Sequence, residues 1–343
     1  AQALIDENGL SGSAGLEDEE HVGRSAALKI RKNQEETLQR FGVTFDRWFF
    51  ESELYDEENS QVTGAYNSLV ERSKTYEKDG AVHFKASEFG DSEDRVIKTS
   101  KGTFTYVVPD IAYHLNKLDR GYVKAVDLLG PDHHGHIVQL RAALAAIGLP
   151  REFFHPIIVQ QVNLKRGGVE VKMSKRAGVG ITLDELIDEV GVDAARFFFL
   201  MRRITSHLDF DMELARRHTE DNPVYYVQYA HARICSILRQ PGAKESDEDV
   251  DLSILTEGEE TDLLRALARF PWTLASIVRG IEPHPLTSYL TELARGFHLF
   301  YSRHRVIGDD RRTTAARLML CRGVAGVLSG GLRLMGVGAP EVM

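Results

Sequence analysis

Two lysines three residues apart, Lys172 and Lys175, enclose Met173 and Ser174 in the run KMSKRAG. Gly167 and Gly168 precede the run, and Gly178 and Gly180 close it. Ammonium groups act as point charges on phosphate oxygens, and glycines let backbone close on a ligand. The pattern suits a clamp for a polyphosphate; as composition alone it also suits a solvated loop with incidental lysines. It is neither a GxxxxGK[ST] loop nor a GxGxxG dinucleotide turn. Immediately after it, Thr182 and Glu185 have the spacing of a capping box and predict a helix over LDELIDEV.

Three further groupings could do chemistry. In GPDHHGH, Gly130 permits close approach, Asp132 can accept from sugar hydroxyls, and His136 opens a helix beside them. His133, His134 and His136 raise a metal site as a rival, but no Cys or carboxylate at helical spacing completes one. In FTYVVPDIAYH, Tyr106 and Asp110 are four apart at the end of an expected strand, with Tyr113 one turn on. A carboxylate beside aromatic rings suits a guanidinium, whereas a helix cap with packed tyrosines is the plainer account. In NPVYYVQYAHAR, Tyr226, Tyr229 and Arg233 fall on one helical face, where splayed nucleotide bases could stack or a bundle core could form. Arg303, Arg305, Arg311 and Arg312 could extend that face towards phosphates or simply be solvated.

The elements that must position these residues alternate. Helical periodicity is expected from Ala26 to Phe41 and again over NSLVERSKTYEKDG up to Gly80, with residues 1–25 loosely held. AVHF, RVIKTS and FTYVV read as strands. Then Ile111–Arg120 reads as helix, KAVDLLG as strand, HIVQLRAALAAIGL as helix, HPIIVQQVNL as strand, and ITLDELIDEVG and DAARFFFLMR as helices. Strands alternating with helices indicate a parallel, doubly wound sheet with ligands beyond its carboxyl ends. From Asn222-Pro223 onward the period is helical throughout, an all-α bundle.

The 343 residues carry a formal net charge of −9, with 43% hydrophobic and 27% charged residues, which excludes a disordered chain and a wholesale nucleic-acid coat. Cys235 and Cys321 are the only cysteines, too few for a disulfide framework or a thiolate zinc site. With so few thiols a reducing cytoplasm is the default, no apolar run approaches the roughly 18 residues a spanning helix requires, and nothing in AQALIDENGL suggests secretion.

Taken in order along the chain, FGVTFDRWFFESELY, GDSEDRVIKTSKGTFTYVVPDIAYH, GPDHHGH, KMSKRAG, DAARFFFLM, NPVYYVQYAHAR and the terminal GAPEVM resemble the class I arginyl-tRNA synthetases. KMSKR is similar to the KMSKS signature loop. The resemblance implies an α/β chain: an incomplete class I Rossmann-type parallel-sheet catalytic domain at 1–221, then an all-α anticodon-binding bundle at 222–343. It implies attachment of arginine to its tRNA through an arginyl-adenylate, with ATP and substrate-borne Mg2+, no protein-bound metal, and a monomer. Tyr106 and Asp110 would then face L-arginine. Gly130, Asp132 and His136, the backbone of Val162 and Asn163, and Met173 and Ser174 would meet ATP. Lys172 and Lys175 would hold its phosphates during catalysis, and Tyr226, Tyr229 and Arg233 would meet the anticodon loop of the arginine tRNA.

Two departures qualify the resemblance. Arg176 stands where the class loop has Ser, and no HIGH-type element occurs in the sequence, HHGH at 133–136 being in the wrong place. A fragment beginning inside the catalytic domain, with impaired activity, is therefore expected. The rivals are a class I synthetase of another specificity, such as cysteinyl, a non-catalytic tRNA-binding module, and a nucleotidyltransferase of the same superfamily.

Overall fold

The computed structural model describes residues 19–55, 60–171, 180–243 and 250–343. Its helices are α1 (Glu19–Arg40), α2 (Gln61–Glu71), α3 (Val107–Asp119), α4 (His134–Ala146), α5 (Leu183–Val190), α6 (Val192–Leu200), α7 (Met212–Arg216), α8 (Pro223–Leu238), α9 (Gly258–Gly280), α10 (His284–Arg303) and α11 (Arg311–Leu334). Its strands are β1 (Thr75–Lys78), β2 (Ala81–Phe84), β3 (Arg95–Lys98), β4 (Ala125–Leu129), β5 (Phe154–Ile158), β6 (Val162–Arg166), β7 (Val169–Glu170) and β8 (Leu208–Asp211). The chain divides into two compact units, one of 45–162 with 204–208, the other of 1–44, 163–203 and 209–343.

In the first unit Ser60 caps α2, its Oγ accepting from the Thr63 N–H at 3.3 Å, and Val62, Ala65 and Leu69 make the buried face. The expected continuation of this helix to Gly80 does not occur: Thr75–Lys78 is β1, paired antiparallel with β2. Asp79 and Gly80 both take positive φ, 52° and 74°, as a two-residue hairpin turn requires. Tyr76 then stacks on His83 across the strands, and the turn chemistry overrides a polar helical pattern that had no apolar stripe of its own.

The expected strand FTYVV is also absent, apart from a single bridge between Phe104 and Lys98. Tyr106 already has helical dihedrals and α3 begins at Val107, with Pro109 in the first turn where its missing N–H costs nothing. Val107, Val108 and Ile111 are fully buried, and they join Phe84, Ile97, Leu140 and Ala143 in one core. α4 carries the chain from β4 to β5, which pair in parallel from Ala125↔Phe154 to Leu129↔Ile158. This is the strand–helix–strand unit that the alternation predicts; among the described residues the parallel sheet has these two strands. HPIIVQQVNL is two strands and not one, β5 ending at Ile158 and β6 beginning at Val162 beside β7 and β8.

In the other unit, α1 begins at Glu19, inside the segment expected to be loose. Its Arg40 pairs with Asp184 and Asp188 of α5. The capping box forms as the spacing predicts: the Thr182 N–H donates to Glu185 Oε2 at 2.7 Å and the Glu185 N–H to Thr182 Oγ1 at 3.2 Å. Asn222 caps α8 with Pro223 at its first position, and α9, α10 and α11 complete an all-helical arrangement after residue 222. Leu290, Phe297, Phe300, Val324 and Leu328 are fully buried within it. α11 has the length and hydropathy of a membrane-crossing helix, yet it buries Leu318, Leu320, Val324, Leu328 and Leu332, as a core helix does.

The DAAR stretch of α6 staples the chain end. Arg196 donates from Nε to the Met335 carbonyl and from Nη1 to the Phe41 carbonyl, both at 2.7 Å. Asp193 Oδ1 accepts from the Gly338 N–H at 3.0 Å, and Gln228 Nε2 donates to Asp193 and to the Gly338 carbonyl. Gly336 has φ +65°, and a Cβ there would stand 2.6 Å from the Arg196 guanidinium, so glycine is required on both counts.

Candidate functional site

Two of the sequence-predicted residues come from different elements and meet. Asp110 lies in the first turn of α3 and His136 in the first turn of α4, just beyond the carboxyl end of β4. His136 Nε2 stands 2.7 Å from Asp110 Oδ2, with side-chain exposures of 25% and 40%. The Asp110 hydrogen bond raises the His136 imidazole above the ordinary histidine range, against the opposing effect of partial burial. The carboxylate read as a guanidinium receptor is thus already partnered by a side chain read as a ribose neighbour.

Around this pair the other predicted groups are more open. Tyr106 is 88% exposed. Asp132 projects into solvent with His133 Nε2 at 3.8 Å. Gly130 has extended backbone, and a Cβ there would lie 2.7 Å from Asp132 Oδ1. Tyr113 is committed to packing: it stacks on Phe49 at 4.5 Å between centroids, and Lys117 Nζ sits 4.5 Å from its ring.

A half-buried group that the sequence reading missed lies beneath. Asp127, on β4, has Lys117 Nζ at 2.7 Å from Oδ1 and His114 Nε2 at 3.1 Å from Oδ2. The histidine contact is one of proximity, without good hydrogen-bond alignment. His114 Nδ1 donates to the Asp110 carbonyl at 2.8 Å. Burial alone would raise the Asp127 carboxyl, but the His114 and Lys117 neighbours outweigh it and hold Asp127 at about 2. A single Asp inside an apolar strand, with His and Lys three apart on the preceding helix, was the signal available.

Because the folded value lies below the unfolded one, this pairing stabilises the fold above about pH 4 and is lost as pH falls towards 2. The contribution is at most about 2 kcal/mol, allowing for screening of a partly exposed group. Asp127→Asn is expected to be less stable at pH 6 yet to lose less between pH 4 and pH 2.5 than the parent. Urea unfolding at these pH values measures it; parallel stability curves for the two proteins would contradict the assignment.

Of the remaining predicted residues, Lys172, Met173, Ser174 and Lys175 lie outside the described residues. Val162 opens β6 at 39% exposure. Asn163 Nδ2 donates to Asp209 Oδ1 at 3.3 Å, and Lys165 pairs with Asp209 at 2.7 Å. No group of three or more His, Cys, Asp or Glu among the described residues is placed to hold a metal ion, and Cys235 and Cys321 are free thiols.

On α8 the aromatic face splits. Tyr226 leans on His298 of α10 with centroids 4.7 Å apart, while Tyr229 stacks with Tyr225 at 5.9 Å. The Arg233 guanidinium lies 4.6 Å from the Tyr229 centroid and 5.1 Å from that of Tyr301, and it donates to the Tyr229 hydroxyl. Tyr229, Arg233 and Tyr301 line a cavity of about 280 Å³ that the terminal Glu341, Val342 and Met343 also border; Tyr226 does not line it. Sequence reasoning missed Tyr301, although its spacing of four from the buried Phe297 marks the same helical face. Arg303 and Arg312 of the suspected basic patch are paired, with Glu259 and Asp251.

The sequence matches the family profile described as tRNA synthetases class I (R), catalytic domain, over residues 15–202, and that of the DALR anticodon binding domain over 227–343. Among curated proteins it is 45% identical over 332 residues to an arginine–tRNA ligase of Geobacter metallireducens, covering 95% of this chain and 59% of the relative. The chain spans about three fifths of the length of such relatives. Among solved structures, a Campylobacter jejuni protein provisionally described as an arginyl-tRNA synthetase superposes with a TM-score of 0.86 at 31% identity, over 95% of this chain and 71% of that one. Thermus thermophilus arginyl-tRNA synthetase shares the fold, with a TM-score of 0.81 at 22% identity over 99% of this chain and 73% of that one.

Proposed function

Because the chain belongs to the class I arginyl-tRNA synthetase family, we propose that it serves the ATP-dependent joining of arginine to its tRNA through an arginyl-adenylate. One observation carries this reading: a carboxylate, Asp110, and its partner His136 converge just beyond the carboxyl end of β4, inside the matched catalytic stretch. Tyr106 and Asp110 take the arginine guanidinium. Gly130, Asp132 and the backbone of Val162 and Asn163 border the nucleotide. Met173 and Ser174 flank it, and Lys172 and Lys175 hold phosphates as charge builds on the leaving pyrophosphate, with Mg2+ carried by ATP. The functional boundary falls at 221/222, and the protein acts as a cytoplasmic monomer.

A second reading is favoured by the cavity on α8: a tRNA-binding module that recognises bases on Tyr229, Arg233 and Tyr301. Arginine-dependent ATP–pyrophosphate exchange in the presence of tRNA supports the ligase; anticodon-dependent binding without exchange supports the module. In either case Arg233→Ala is expected to weaken tRNA binding about tenfold, the order of one lost stacking partner. Filter binding against a tRNA with an altered anticodon checks it, since equal loss on both RNAs would remove Arg233 from the anticodon contact.

A further inference from the structure

We propose that His136 is a specificity-determining residue: its imidazole holds the Asp110 carboxylate until substrate arrives, so only a side chain that presents paired N–H donors displaces it. The inference rests on the assignment of Asp110 as the arginine receptor.

The geometry supplies the competitor. His136 Nε2 is 2.7 Å from Asp110 Oδ2, the length of a charge-assisted hydrogen bond. The groups that face this histidine favour its cationic form. Asp110 comes from α3 and Asp127 from β4, and both act to keep the ring protonated. His133, edge-on with centroids 6.1 Å apart, and Asp132, which partners His133, come from the turn before α4. On the far side of Asp110, His114 is held by the Asp110 carbonyl and by Asp127, and Lys117 is taken up by Asp127. Among the described residues, the built-in cation nearest the Asp110 carboxylate is therefore His136.

An incoming cation must repay the loss of that contact. Arginine offers a planar fork that can bond both carboxylate oxygens, whereas the lysine ammonium offers a single point of charge. Lysine would thus exchange one single-point partner for another and gain little. Displacement also frees His136 from its carboxylate, so the imidazole falls back towards its ordinary range and gives up a proton. Arginine affinity is then expected to drop by up to tenfold per pH unit as pH falls from the free His136 midpoint to the arginine-bound one, and to level off on either side.

The test follows the histidine Cε1–H resonances by NMR from pH 5 to pH 9 in the wild type, Asp110→Asn and His136→Gln, the last identifying the signal. Each protein is titrated without ligand and with L-arginine or L-lysine. The expected result is a wild-type His136 midpoint above the ordinary histidine range that drops with arginine, barely moves with lysine, and starts low in Asp110→Asn. His136→Gln should keep binding arginine but narrow its preference over lysine by about tenfold, the worth of one charge-assisted hydrogen bond. A midpoint unaffected by Asp110→Asn overturns the proposal. So does arginine that binds the wild type, seen through other resonances, without moving His136, or failure of the wild type to bind arginine at all. Arginine binding that survives unchanged in Asp110→Asn sinks instead the assignment of Asp110 on which the inference rests.

Discussion

Asp110→Asn is expected to weaken L-arginine binding by about thirtyfold to a thousandfold while leaving tRNA affinity within about twofold. The substitution keeps the shape and replaces a carboxylate oxygen by an NH2 group, which in the proposed site would oppose the guanidinium donors. Removing one partner of a charged, hydrogen-bonded pair costs about 2–4 kcal/mol, towards the lower figure here because the Asp110 side chain is 40% exposed. The effect on folding should be small. Asp110 lies in the first turn of α3, where its charge favours the helix by under about 1 kcal/mol. Arginine by equilibrium dialysis and tRNA by filter binding, on the same preparations, separate the two effects. An equal loss of both ligands would mean that Asp110 holds the fold and not the amino acid.

The second large effect is one of stability. Glu260 is 1% exposed, and its Oε1 accepts from Arg317 Nε at 2.7 Å while its Oε2 accepts from the Glu257 N–H at 3.1 Å. Arg317 also donates to the Arg305 carbonyl at 2.8 Å. Beside it His304 Nε2 lies 3.0 Å from Glu259, and that hydrogen bond, with the Arg303 ion pair, holds Glu259 at about 2. Arg317→Met fills similar volume but strands the Glu260 carboxylate in the bundle, at a cost of about 3–5 kcal/mol. That is a large part of the roughly 5–15 kcal/mol that stabilises a typical domain. The double change Glu260→Gln with Arg317→Met should recover most of the loss, because replacing both charges removes the unpaired group. Urea unfolding followed by helical circular dichroism reads both variants. A single variant within about 1 kcal/mol of the parent would show that Glu260 finds water or a proton without penalty.

How much of this was legible differs from element to element. The helices after residue 222 and the unit of β4, α4 and β5 follow from periodicity and capping residues, as Asn222-Pro223 and the Thr182–Glu185 box illustrate. The expectations that failed lay where two local signals compete. Thr75–Lys78 reads as helix by charge but turns into a hairpin because Asp79-Gly80 accepts positive φ. The segment from Phe104 to Val108 reads as strand by its β-branched and aromatic content, but burial of Val107, Val108 and Ile111 on one side makes it the start of α3.

At the site, residue types and spacing were enough to nominate Asp110, Asp132, His136 and the α8 aromatics, because short-range geometry fixes what a loop or a helix face can present. Pairing was beyond its reach. That Asp110 spends its charge on His136, that Asp127 gathers His114 and Lys117, and that Tyr301 faces Arg233 from another helix all depend on which surfaces the core brings together. Local sequence sets the chemistry a side chain can offer; only packing across elements sets its partner, and therefore its charge, its exposure and what a ligand must displace to reach it.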